Sequence, residues 1–256
     1  MPRKLPRVSP KKIPETDAIF EQVNKVNRIA DETQTVLRLS MDAKARVKIG
    51  AYSRRGTSRI EVKASDHDFK PKTSLTPVGI FLPQFDDLSI YMVSSRVTAD
   101  CLVDCLQEWW YSVRKRFSHI DTLVINLDNG PENHSRRTQF MKRLLEFAKQ
   151  SGLTICLAYY PPYHSKYNPV ERCWGILENY WNGALLDSIE AVLRFASNMT
   201  YNGKHPIVKL VTTTYEPGVK LSGKAMGLLE ALIKRLPQLG KWFVDISPVS
   251  LPNWDV

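Results

Sequence analysis

The sequence predicts an α/β fold, a mixed sheet flanked by helices, and three observations carry that reading. Residues 35–46 alternate strictly, with Leu37, Leu39, Met41, Ala43 and Ala45 on one side and Arg38, Ser40, Asp42, Lys44 and Arg46 on the other. That is the period of a strand with one polar side. Residues 122–127 instead form a nearly continuous apolar run, as expected of a strand buried on both faces and parallel to its neighbour. Segments of this kind alternate with stretches of helical period, the pattern of a sheet covered by helices.

Composition sets the bounds. With 256 residues, 43% of them hydrophobic, the chain has enough apolar side chain for a sizeable core, in one large domain or a domain with an appendage. No apolar run approaches the length of a membrane span, and the first residues are basic and proline-broken rather than apolar, so no signal peptide is expected. A cytoplasmic location follows by default. A net charge of +10 makes a polyanion the favoured partner. Cys101, Cys105, Cys156 and Cys173 sit within apolar patterns and form no CxxC pair, so they are expected as free thiols.

Taken in order, residues 1–14 read as a basic arm, either a solvated tail or a phosphate contact. Residues 15–30 form a helix with an apolar stripe of Ile19, Phe20, Val23, Val26 and Ile29. In the strand that follows, Asp42 and Lys44 point the same way, placing a carboxylate suited to metal beside a cation suited to phosphate; an ordinary solvent-facing surface is the competing reading. Residues 50–76 look like an inserted hairpin or long loop, in which Arg54, Arg55 and Arg59 suit backbone phosphates. Asp66, His67 and Asp68 read as polar turn residues or, less simply, as ligands. Residues 77–82 and 88–94 form an antiparallel hairpin, and residues 98–117 a helix burying Trp109 and Trp110.

The strand at 122–127 ends in Asp128-Asn129-Gly130, where open α/β sheets place their ligands, although an acid before a glycine also marks a plain turn. A helix over 134–150 is stopped by Gly152, and a strand over 153–160 follows. Asn168-Pro169-Val170-Glu171 then opens another helix: Asn168 suits the N-cap, Pro169 the first position, and Glu171 the place that completes a capping box. Glu178 shares a face with Glu171 and is the fallback ligand if Glu171 only caps. The remainder reads as helices over 185–199 and 222–235 with strands near 207–213 and 242–246, and shows no catalytic constellation.

If the strands carrying Asp42 and Asp128 lie side by side, the helix after them can supply Glu171 as a third carboxylate. Three carboxylates at close quarters repel one another unless a cation neutralises them. Hard divalent ions with oxygen ligands fit, Mg2+ above all. Two such ions about 4 Å apart can activate a water or a DNA 3′-hydroxyl and stabilise the leaving oxygen of an in-line phosphodiester displacement.

At this point four segments carry a family resemblance: Ser40-Met41-Asp42-Ala43-Lys44, the run from Asp66 through Pro71, Leu127 through Asn133, and Tyr160 through Arg172. Together they resemble the catalytic domain of ISAzo-thirteen-type insertion-sequence transposases, bacterial DDE enzymes with an RNase H-like core similar to the Tc/mariner group. The resemblance implies that Asp42, Asp128 and Glu171 are the catalytic and metal-binding triad. It implies two Mg2+ ions, with Mn2+ able to substitute, and cleavage and strand transfer of DNA at transposon ends and target. Lys44, Arg54, Arg55, Arg59, His164, Lys166 and Arg172 are then the expected DNA contacts, with His164 and Lys166 equally suited to stabilising their loop. A nucleoid-associated bacterial protein, possible as a homodimer, with no membrane or small-molecule partner, is the matching expectation.

The expected domains are a basic arm and single helix (1–33), an RNase H-like DDE core (34–183) and a small C-terminal α/β extension (184–256) packed on it. About 34 residues precede the first strand, room for one helix but not for a helix-turn-helix recognition region, so an N-terminally truncated copy is expected. Two other readings stay open on the residues alone: a catalytically silent DNA-binding remnant, and an RNase H-like host nuclease or resolvase.

Overall fold

The structure, a computed structural model, describes residues 12–52 and 73–248. Helix α1 (Thr16–Glu32) leads into β1 (Val36–Ala43) and the short β2 (Val47–Ile49). Then come β3 (Thr73–Leu82), β4 (Asp87–Val93), α2 (Ala99–Val113), β5 (Thr122–Leu127), α3 (Thr138–Ser151) and β6 (Thr154–Tyr159). Helix α4 (Val170–Trp181) and α5 (Ile189–Asn198) precede β7 (Ile207–Val211), α6 (Gly223–Glu230), β8 (Ile233–Arg235) and β9 (Phe243–Ile246). Among the described residues no helix is long and apolar enough to cross a membrane.

Among the described residues nine strands form one mixed sheet in the order β7-β4-β3-β1-β5-β6-β9-β8, with β2 paired to β3 off that path. The strands β1, β3 and β4 form an antiparallel meander, while β5 and β6 run parallel to β1. This is the RNase H-like arrangement, with β1 at the centre. The segment after residue 183 contributes to both flanks, since β7 pairs in parallel with β4 and β9 pairs antiparallel with β6.

Each face has its own layer of helices. Leu37, Leu39 and Met41 of β1 pack with Leu123, Ile125 and Leu127 of β5 against α2 and α3. Both tryptophans of α2, Trp109 and Trp110, are buried there. On the other face, Phe81, Leu88 and Ile90 meet Val170, Trp174 and Leu177 of α4, and α5 seals the edge through Val192 and Ala196. The four cysteines are free thiols, with Cys101, Cys105 and Cys173 buried.

Several expected boundaries need correction. The polar side of β1 is not solvated, for Arg38, Ser40 and Asp42 are all buried under α1 and α4. Arg38 satisfies its charge there with a two-pronged bond to Asp31 of α1, both N–O distances being 2.7 Å. Asn126 of β5 donates to Asn27 of the same helix at 2.9 Å. The helix expected from residue 134 begins at Thr138, because residues 131–136 wind around Gly130, whose carbonyl accepts from both Asn133 and His134. The helix expected over 222–235 stops at Glu230. Arg235 folds back onto Glu230 at 2.7 Å, and the intervening residues form β8 instead, paired with β9. Arg54, Arg55, Arg59 and the Asp66-His67-Asp68 run lie outside the described residues.

Candidate active site

The parallel pairing of β1 with β5 sets Ser40 opposite Asn126. Two residues further along each strand, on the same face because side chains alternate, stand Asp42 and Asp128. Asp42 is only 7% exposed, and Asp128 is half-buried where β5 ends. Burial, and next the negative charge of Asp128, push the Asp42 carboxyl up to about 6; a hydrogen bond from Trp174 opposes the rise and the charge of Glu171 adds to it. Asp42 therefore senses both of the other predicted acids. Among the described residues, however, no three His, Cys, Asp or Glu side chains converge into a ready-made chelating cluster. Each aspartate is held by its own neighbours.

For Asp42 the neighbour is α4. Trp174 Nε1 donates to Asp42 Oδ2 at 2.8 Å. The indole comes so close because Gly79, paired with Asp42 across β3, has no side chain. A Cβ at Gly79 would lie 2.6 Å from Trp174 Cη2 and 2.9 Å from Val170 Cγ2.

Glu171 stands in the first turn of α4. The capping box expected from Asn168 does not form. The Asn168 amide donates to Ser165 O at 2.7 Å. Its side chain turns to β1, where Oδ1 accepts from Ser40 Oγ at 2.5 Å and Nδ2 donates to Met41 O at 3.2 Å. Ser40 Oγ in turn accepts from Val170 N at 2.9 Å. The helix start is thus capped by a strand residue, and Glu171 is tied to the strand that bears Asp42.

For Asp128 the neighbours are in its own loop. Its Oδ1 accepts from Gly130 N at 3.1 Å and from Asn133 Nδ2 at 2.9 Å. Tyr159, which burial keeps protonated far above neutral pH, donates to Asn133 O at 2.6 Å. The C-terminal segment braces the same loop, with Arg235 Nη2 on Ser135 O at 2.9 Å and Ser135 Oγ on Lys241 O at 2.8 Å. Beside it opens a cavity of about 430 Å³ lined by Asn129, His134, Arg136, Pro162, Lys241 and Trp242, among others.

The predicted DNA contacts divide by exposure. Lys44 is largely buried and pairs with Glu178 Oε1 at 2.8 Å, which engages the fallback ligand. His164 is 4% exposed, sits 2.7 Å from Pro162 O through Nδ1 and packs edge-on to Phe20 at 5.3 Å. Lys166 and Arg172 are exposed on either side of the helix start, and Lys166 lies 5.1 Å over the Tyr167 ring.

Sequence reasoning gave no role to Ser40 or Gly79, placed Asn133 only in the polar cluster after Asp128, and read Trp174 as core alone. Ser40 gave a signal, being two residues before Asp42 and so on its face. Gly79 gave none until its strand partner was known.

A sheet of this order, with acids at the mouths of two central parallel strands and a third on the helix after them, defines the class: an RNase H-like DDE domain. The chain belongs to the Rhodopirellula transposase DDE domain family, whose model matches residues 3–248. Among solved structures it resembles the Mos1 transposase paired-end complex with left transposon end, with a TM-score of 0.52 at 11% identity over 76% of this chain and 57% of that chain. The Mos1 mariner paired end complexes with Mn and with Mg give TM-scores of 0.52 and 0.51 at 11% identity, covering 75% and 77% of this chain and 57% and 60% of those. At that identity the likeness is one of fold, and the chain spans less than two thirds of the length of those Mos1 chains. Among curated proteins none matches the sequence.

Proposed function

We propose that the chain is the catalytic domain of a DDE transposase, with Asp42, Asp128 and Glu171 as ligands for two divalent ions, Mg2+ in the first place and Mn2+ as a substitute. The observation that carries this reading is the placement of Asp42 beside Asp128, where burial and then the charge of Asp128 raise the Asp42 pKa. The donor set fits the group: it is all-oxygen and carboxylate, as a hard divalent ion prefers. When bound, such ions activate an attacking hydroxyl and stabilise the leaving oxygen of a phosphodiester.

The chain's own residues do the rest. Trp174 holds the Asp42 carboxylate in place through one of its oxygens. Asn133 and the Gly130 amide do the same for Asp128. The Ser40–Asn168 link sets Glu171 at a fixed height over β1. Lys166 and Arg172, with the Arg136 and Lys241 side of the neighbouring cavity, supply exposed positive charge for a DNA backbone. The proposed substrate is transposon-end DNA, with residues 34–183 as the catalytic core and 184–256 as its brace.

The test is cleavage or strand transfer of end DNA from the same family of elements by the full chain, with Mg2+ or Mn2+. Activity in the unmodified chain and none in Asp128→Ala is the expected result. Salt-sensitive DNA binding without cleavage would overturn the catalytic reading in favour of a silent DNA-binding remnant, and cleavage that survives in Asp128→Ala would overturn the triad.

A further inference from the structure

Asn133 is a buried residue, 6% exposed, with one polar atom left over. Its Nδ2 donates to Asp128 and its carbonyl accepts from Tyr159. Its Oδ1 has no hydrogen-bond partner among the described residues. The amide cannot be turned round to remove the problem, because an ionised carboxylate only accepts and the NH2 must face it. A buried acceptor in that position calls for a donor or a cation to complete it.

The neighbouring glycine shows where that completion belongs. A Cβ built on Gly130 would lie 3.2 Å from Asn133 Oδ1 and 3.4 and 3.5 Å from the two carboxylate oxygens of Asp128. Three oxygens thus surround the volume that a side chain at 130 would fill. Backbone conformation does not require glycine here, since the left-handed residue of this turn is Asn129, with φ of 64°, and Gly130 is not among the positive-φ residues. What position 130 supplies is space.

We propose that Asn133 is part of the divalent-ion site: Nδ2 fixes the Asp128 carboxylate, and Oδ1 joins that carboxylate in an oxygen-lined cradle over Gly130 that receives a hydrated Mg2+ or Mn2+. The proposal rests on the reading of Asp128 as a metal ligand. It makes Asn133 a positioning residue for the ion and assigns Gly130 to keeping the cradle open. Oxygen-only surroundings with room for water are what a hard divalent ion takes, and partners of this kind typically govern affinity by about 10- to 100-fold.

Mn2+ binding to the full chain, followed by the loss of free-ion signal in electron paramagnetic resonance, tests this without any DNA. Gly130→Ala and Asn133→Ala are each expected to weaken Mn2+ binding about tenfold or more. Gly130→Ala should do so in a metal-free protein that still melts cooperatively, because it removes no hydrogen-bonding group. That variant decides the matter even if Asn133→Ala folds poorly. Wild-type affinity in Gly130→Ala, with Asp128→Ala losing the ion, would overturn the cradle and leave the triad standing. A wild-type chain that takes up no Mn2+ would overturn both.

Discussion

Ser40 Oγ lies 2.5 Å from Asn168 Oδ1 while accepting from the amide of Val170, so a residue of the central strand caps the helix that carries Glu171. Asp42 is two residues from one end of this link and Glu171 three from the other. One buried hydroxyl therefore links the elements that carry two acids lying 129 positions apart in sequence.

Replacing that hydroxyl should show its worth. Ser40→Ala removes the cap and leaves the Asn168 oxygen buried without a donor, for an expected loss of about 1 to 3 kcal/mol in denaturant unfolding. Metal-dependent cleavage should fall further than the folded fraction does, since Glu171 is released from β1.

Asp42 gives the metal-free protein a pH signature. Its folded pKa, near 6, lies above the ordinary carboxyl value of 3.8, so the folded state holds the proton more tightly than the unfolded chain does. The contribution is fully present below pH 3.8 and is lost as pH rises through 6. Stability from this group should thus fall across that window, by about 3 kcal/mol on the size of the shift. Asp42→Asn should abolish the slope, raise the metal-free melting temperature at pH 7, and abolish cleavage. Thermal melts at pH 4, 5, 6 and 7 check the first two.

Gly79 should be intolerant of even a methyl group. Gly79→Ala drives a Cβ into the Trp174 ring and the Val170 side chain, an overpacking worth about 1 to 3 kcal/mol. Because α4 must back away from Asp42, Mn2+ affinity should drop as well, measured by the same free-ion titration in protein that remains folded.

DNA affinity should track exposure rather than formal charge. The double variant Lys166→Ala/Arg172→Ala should reduce the salt slope of binding by about 2. Lys44→Ala and His164→Ala should leave that slope unchanged and show their effects in melting temperature, since one side chain is engaged by Glu178 and the other packs on Phe20. Fluorescence anisotropy over a salt series separates the two groups.

The path to this site was legible in sequence wherever local pattern decides structure. Alternation through Asp42 and the apolar run before Asp128 located both strands, and the spacing of Gly152 located a helix end, observed with φ of 75°. Legibility failed where a side chain's partner is remote. The type and place of Asn168 predict a cap for its own helix, yet Ser40, 128 residues earlier, takes the role. Alternation reports side-chain chemistry and leaves open whether the polar face of β1 is wet or covered; the docking of α1, with Asp31 over Arg38, shows it covered. The stretch after Glu230 failed for a similar reason: its strand character comes from β9, which sequence order places later.

Both flanks of the central sheet are completed by strands from the last part of the chain, β7 against β4 and β9 against β6. During synthesis, every residue of the proposed triad has been made before either flank is covered. At about 5 to 20 residues per second, the nascent chain holds two unpaired strand edges for several seconds after α4 emerges. A chain stalled in that interval would carry all three acids and yet present two templates for intermolecular β-pairing, so the catalytic core is most prone to aggregate just when its chemistry is already encoded.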